Sequence, residues 1–309
     1  MELRKVSDKL FLVQNEELKN VDSADNTDYN APEWKELYEY ERERLLIPPT
    51  PNNPPWNSWI AIGMWIVSIL AIIIFPLLFL APYIASAAMN GTGALENMQN
   101  DPTAIVLNIL AIIPAHIFTI ILAWFIVTKN RTLSFKQTLG WSHENFRWFY
   151  YILILVGFFA IAAVVGHYLP EQENDLMRIL RSSRTATLAV AFLATFTAPL
   201  VEEVTYRGIM YSAFQRSIGV TGAVAIVTIL FALVHVPQYW GSPGTIFLIC
   251  LLSLVLTMVR VKTDNLLPCF ILHTIFNGLQ SIFLVVEPYL PKDLKPVEEQ
   301  AAAILYLFK

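Results

Sequence analysis

Charge is what this sequence most conspicuously lacks. Only 15% of its 309 residues are Asp, Glu, Lys or Arg, against about 25% in soluble domains, so a fully solvated surface is hard to assemble. The net charge of −4 is small and spread out, which removes the basic patch that a nucleic-acid partner requires. There are two cysteines, Cys250 and Cys269, far apart and both in apolar segments. That count excludes a disulfide framework and a CxxC metal site, and both thiols read as small packing groups. No internal repeat and no HExxH occur. The opening stretch is polar and acidic, so it does not read as a cleaved leader.

What is present is hydrophobic length. The chain is 55% hydrophobic with a mean hydropathy of +0.51. Several runs approach or exceed the roughly 20 apolar residues that cross a bilayer. The expected class is all-α, a polytopic membrane helix bundle with seven or eight transmembrane helices. The spans fall near 56–89, 103–128, 149–169, 186–214, 220–237, 245–261 and 266–287. Pro76 and Pro82 are expected to kink the first or to split it into a span and an interfacial piece. The chain divides into a polar acidic tail (1–55), a first set of spans (56–148), a second membrane unit (149–290) and a C-terminal tail (291–309). Within the first tail, "APEWKELYEYERERLL" reads as a surface helix or as a solubilising segment, and "IPPTPNNPP" as a stiff linker. In the last, "AAAILYLF" is the candidate eighth element.

Lys and Arg counts orient such a bundle. The loop 90–102 and the loop "PQYWGSPG" hold no basic residue, whereas Lys129, Arg131, Lys136, Arg147, Arg216, Arg260 and Lys262 fall in the alternate connections. This places the N-terminus in the cytoplasm and the protein in a membrane, the plasma membrane being expected. Arg178, Arg181 and Arg184 run against the scheme.

Charged groups in hydrocarbon are costly and are usually paired or functional. Between Thr185 and Thr263 the only carboxylates are Glu202 and Glu203. Residues four apart share a helix face, so Glu203 and Arg207 can pair. Glu202 is turned by about 100° and has no basic partner on its own helix, which leaves it available to take a proton from water. The fifth span carries Phe231 and His235 at the same spacing, and the seventh carries His273 and Asn277. At 1.5 Å per residue, Glu202 lies roughly 20 Å and His235 roughly 23 Å from the cytoplasmic ends of their spans. His273 and Asn277 lie roughly 13 and 19 Å in. Three helices thus set polar groups in one layer. The plain alternatives are a charge-paired helix that fixes packing, and histidines and an amide that bond neighbouring helices. His116 reads as such a packing group, His167 as interfacial and His143 as a loop residue.

This set suits hydrolysis of an amide. The carboxylate, helped by His235, deprotonates a water, and His273 with Asn277 donates to the developing oxyanion. Phe231 walls the pocket. No serine or cysteine sits beside the histidines, so a covalent nucleophile is disfavoured. The rival use is zinc, with Glu202, His235 and His273 as ligands; spacing across three helices leaves that open.

The motifs Glu202-Glu203-Val-Thr-Tyr-Arg207, Phe231-Ala-Leu-Val-His235 and His273-Thr-Ile-Phe-Asn277 follow in order as EExxxR, FxxxH and HxxxN. In this the chain resembles the CPBP family of intramembrane endopeptidases, which includes CAAX prenyl proteases and bacteriocin-processing or self-immunity proteins. The resemblance covers about 150–290. It implies a helical membrane core with Glu202 as base, His235 assisting, and His273 and Asn277 as oxyanion partners, supported by Glu203, Arg207 and Phe231. It implies a peptide or protein substrate, in some relatives a prenylated C-terminus, with the lipid bilayer as the other partner. The glutamate mechanism requires no metal, and zinc stays the alternative. A non-catalytic scaffold or immunity protein of the same fold, and a proton-coupled transporter, are the competing functions.

Overall fold

The computed structural model describes residues 49–89, 101–144 and 146–290. The acidic tail before residue 49, the loop 90–100 and "AAAILYLF" lie outside the described residues. With them go the expected surface helix and the eighth element. No strand occurs among the described residues, only an isolated bridge between Thr50 and Asn53.

The chain enters the bundle at Asn57, whose side chain accepts from the Ile60 amide and so caps α1, Ser58–Met89. Apolar on every side, α1 runs unbroken through Pro76 and Pro82, so the expected split does not occur. Asp101 accepts from the amides of Thr103 and Ala104 with Pro102 at the first helical position, which starts α2, Pro102–Leu110. After one residue α3 follows, Ile112–Thr128. It ends where Lys129, Asn130 and Arg131 all take positive φ. The short α4, Phe135–Leu139, is capped by Ser134 and closed by Gly140 at φ 69°. Next come α5, Trp148–Tyr168, and α6, Asp175–Ser182.

Ser183 caps α7, Arg184–Phe192. A π-helical stretch, Leu193–Thr197, then leads into α8, Ala198–Glu202, and a second π stretch, Glu203–Met210, leads into α9, Tyr211–Leu233. The last long helices are α10, Pro243–Thr263, and α11, Leu267–Val286.

Among the described residues six helical runs are long and apolar enough to cross a membrane by length and composition, where seven or eight spans were expected over the whole chain. The difference arises in Arg184–Leu233, one run of 50 residues that contains the fourth and fifth expected spans. At about 75 Å it is too long for a hydrocarbon layer of about 30 Å. It breaks at Gly219, where φ is 78° and ψ 168°, a conformation that favours glycine. Between 22 and 39% of the residues in each apolar window are buried inside the protein. Lipid must therefore cover the rest.

Two apolar clusters build the interior. One gathers α1, α3, the second π stretch and α9 around residues such as Met64, Val204, Ile209 and Phe231. The other joins α5, α10 and α11 around Phe158, Leu256, Leu272 and Phe276. The polar residues discussed below lie at the seam between them.

The loops after α4 and after α10 meet at one end, where the Leu266 amide donates to the Gly140 carbonyl at 2.8 Å. The linker 49–56 also packs there, its carbonyls accepting from Ser212, Gln215, Arg216 and Arg260. Inside the linker only Thr50 and Asn53 exchange backbone hydrogen bonds among the described residues, so these donors hold the rest of it. The linker is thus a strap across the bundle end rather than a free spacer.

Candidate active site

Proline placement explains the local geometry of the first π stretch. The Ala198 amide reaches back five residues to the Leu193 carbonyl. In that register the next donor would come from residue 199, a proline with no N–H. The Ala194 carbonyl is left over, and Asn277 Nδ2 on α11 donates to it at 2.9 Å. Beside it, Thr195 donates to the Ser281 hydroxyl at 2.9 Å. His116 bonds Thr197 through Nδ1 at 2.9 Å, so this histidine also ties α3 to the π stretch. His143 bonds the Tyr151 hydroxyl at 2.8 Å and His167 meets Tyr168 edge-to-face, both outside the constellation.

The two glutamates straddle the change of register. Glu202 ends α8 and Glu203 opens the second π stretch; such wide turns are rare and are frequent at functional sites. Glu203 and Arg207 are wholly buried and joined at 2.9 Å. The guanidinium is satisfied further by α10. Nε donates to Thr257 Oγ1 at 3.2 Å, and Nη2 to the Ser253 carbonyl at 3.0 Å and hydroxyl at 2.8 Å. The Phe231 ring lies 4.7 Å from its carbon centre, a cation–π contact.

Glu203 Oε1 also accepts from His273 Nδ1 at 2.8 Å. A carboxylate can only accept here, so Nδ1 carries the hydrogen and Nε2 is the free edge of the ring. That Nε2 lies 3.7 Å from Glu202 Oε2. The Glu202 side chain is 25% exposed while that of Glu203 is 0% exposed. One carboxylate is locked in the interior and the other looks out from it, with His273 between them. The second oxygen of Glu203 is buried without a hydrogen-bond partner.

His235 lies two residues past the end of α9, in the turns over 234–240, not on the continuous helical face expected. Its spacing to Phe231 survives nonetheless. His235 Nδ1 donates to the Phe231 carbonyl at 2.7 Å, which frees Nε2 as the basic nitrogen. The Phe231 ring stands 4.9 Å from the His235 ring and 6.2 Å from the His273 ring, so it separates and aligns the two imidazoles. From Gly219 to Leu233 the helix rises about 21 Å, short of the hydrocarbon thickness. A span that enters the bilayer at Gly219 thus ends before the far face, which leaves the turns bearing His235 within the hydrocarbon depth. Irregular backbone at that depth is tolerated where it is buried in protein or lines a wet cavity.

Glu202, Glu203, Arg207, Phe231 and His273 are thus one contiguous group, His235 adjoins it through Phe231, and Asn277 is anchored one turn beyond His273. Among the described residues no three His, Cys, Asp or Glu side chains are placed to hold a metal ion. Sequence reading missed Ser253 and Thr257, although two hydroxyls four apart on an apolar helix were the available signal. It also missed Tyr206, whose hydroxyl accepts from Trp65 Nε1 at 2.9 Å and keeps its own hydrogen to donate.

This constellation falls in a stretch that the comparisons recognise. Residues 184–279 match the family model described as Type II CAAX prenyl endopeptidase Rce1-like. That stretch is an Rce1-like domain. It begins at α7 and ends within α11, so it holds every residue of the constellation. With six apolar runs among its described residues, the chain is a multi-pass integral membrane protein carrying a domain of an endopeptidase family. No curated protein and no solved structure matches it.

Proposed function

We propose that the chain is an intramembrane endopeptidase in which Glu202 activates a water molecule for attack on a peptide carbonyl. The observation that carries this reading is the contrast between the two neighbouring carboxylates. Glu203 is enclosed and tied to Arg207 and His273, whereas Glu202 keeps a quarter of its side chain open beside His273. An enclosed ion pair supports; an open carboxylate can meet solvent and substrate.

The steps follow from these positions. A water in contact with Glu202 gives up a proton to the carboxylate as its oxygen bonds to the peptide carbon. Charge develops on the carbonyl oxygen. His273, doubly protonated with Nδ1–H held by Glu203, donates Nε2–H toward it, and Asn277 retains one amide hydrogen beyond the one given to Ala194. His235, its Nδ1 fixed on the Phe231 carbonyl, offers Nε2 to the same water. The carbon–nitrogen bond then breaks, and the proton held by Glu202 passes to the departing amine. Glu203, Arg207 and Phe231 position these groups without entering the reaction. On this reading no step passes through a metal.

The substrate is a peptide reached from the bilayer, with a prenylated C-terminus the class suggested by the family. The bundle end that carries Lys129, Arg131, Arg216 and Lys262 faces the cytoplasm of the plasma membrane on this reading. The test is cleavage of farnesylated and unmodified peptides by the purified protein in detergent. Loss of cleavage in Glu202→Gln and in His235→Ala, with folding retained, is expected. Cleavage that survives Glu202→Gln removes that residue as the base. Cleavage abolished by chelation and restored by zinc overturns the metal-free route.

A further inference from the structure

Between α9 and α10, on the lipid side of the bundle, lies a groove of about 480 Å³. Val220, Val224 and Thr228 form one wall and Leu254, Met258 and Val261 the other. None of the catalytic residues lines it; Ser253 and Thr257, which hold Arg207, are buried on the adjoining, inward side of α10. From Ile229 up to Val220 the groove runs about 14 Å, half the hydrocarbon thickness and so the depth of one leaflet.

The shallow end carries charge. Leu254, Met258 and Lys262 are spaced four apart, so Lys262 continues the groove-facing stripe of α10 by one turn. It is exposed and makes no ion pair among the described residues. An apolar channel one leaflet deep, topped by a cation, matches an amphiphile with a hydrocarbon tail and an anionic head. A peptide is a poor occupant, because its backbone amides would lie against walls whose polar groups are only the hydroxyls of Thr221 and Thr228. A second bundle is also disfavoured, since membrane helices approach closely through small residues, and Ile229, Leu254 and Met258 are large.

We propose that this groove binds one membrane phospholipid, its acyl chain between α9 and α10 and its phosphate at Lys262. The proposal stands apart from the peptidase reading and survives its failure.

The test is native mass spectrometry of the full-length protein in detergent, titrated with dioleoylphosphatidylglycerol or dioleoylphosphatidylcholine. One phosphatidylglycerol is expected to remain bound. Lys262→Gln should weaken it about fivefold, as one lysine near an anionic headgroup is worth, with little change for phosphatidylcholine. Ala225→Trp, which fills the groove from an exposed position, should reduce retention of both lipids at least tenfold. Retention unchanged in both variants overturns the proposal. So does a dimer mass that Ala225→Trp abolishes, or one-for-one displacement of the lipid by a farnesylated peptide, which would assign the groove to substrate.

Discussion

The buried Arg207 network allows a quantitative test that needs no substrate. Arg207→Met removes a guanidinium with four hydrogen-bond contacts and no exposure. Glu203 then keeps only His273 as a partner, and its charge stays enclosed. Removing one member of a buried pair costs about 3–5 kcal/mol, whereas replacing both with uncharged groups of similar volume is often near neutral. Arg207→Met should therefore cost about 3–5 kcal/mol, and Glu203→Gln a comparable amount because it strands the cation. The double variant should cost no more than either alone. Reversible denaturation in mixed micelles, followed by tryptophan fluorescence, gives the cycle. A double variant equal to the sum of the singles, to within about 0.5 kcal/mol, would refute the enclosed pair. The same cycle separates structure from chemistry. In Glu203→Gln the orientation of His273 loses its anionic acceptor, and kcat should fall by about 10–100-fold with KM little changed.

Other consequences can be measured alongside. Glu202→Gln, at a partly open position with no close hydrogen bond, should leave stability within about 0.5 kcal/mol of the parent while abolishing cleavage; a large loss of stability would make Glu202 a structural residue. Pro199→Ala supplies the missing amide to Ala194, which then competes with Asn277, so activity should fall without unfolding; undiminished activity would show that the Asn277 anchor is dispensable. Gly140→Ala places a Cβ 2.7 Å from the Asp264 carbonyl at φ 69° and should cost about 1–3 kcal/mol, whereas Gly63→Ala, which meets nothing within 4 Å, should be neutral or gain up to about 1 kcal/mol. The Asp101 carboxylate is held below its usual range, first by the Ala104 amide. Its capping contribution is complete above the ordinary carboxylate range and is lost as pH falls through the lowered value. Asp101→Ala should therefore speed amide exchange at Thr103 and Ala104 at neutral pH, and an unchanged rate would argue against the cap.

Much of the site could be read along the chain because its partners are close in sequence. Glu203 and Arg207, Phe231 and His235, and His273 and Asn277 are each four residues apart, and local helical geometry brings such pairs together. Spacing also separated the enclosed glutamate from the open one. The contacts of His273 were not legible: its bond to Glu203 spans 70 positions and depends on how α11 packs against the π stretch. For the same reason the partner of Asn277, the Ala194 carbonyl 83 positions away, could not be named, although a bond to a neighbouring helix was one of the readings. His235 reads as helical by pattern, yet α9 stops at Leu233, since the bundle rather than propensity decides where a short half-span ends.

The sequence alone determined that the chain lives in lipid, because its apolar runs cannot be buried in a protein of this size, and that a few charged groups must be paired within it. Only the tertiary structure decided which charges are enclosed and which stay partly exposed. Burial depends on neighbours contributed by distant helices: Ser253 and Thr257 enclose Arg207, Glu203 turns His273, and Glu202 is left at the opening.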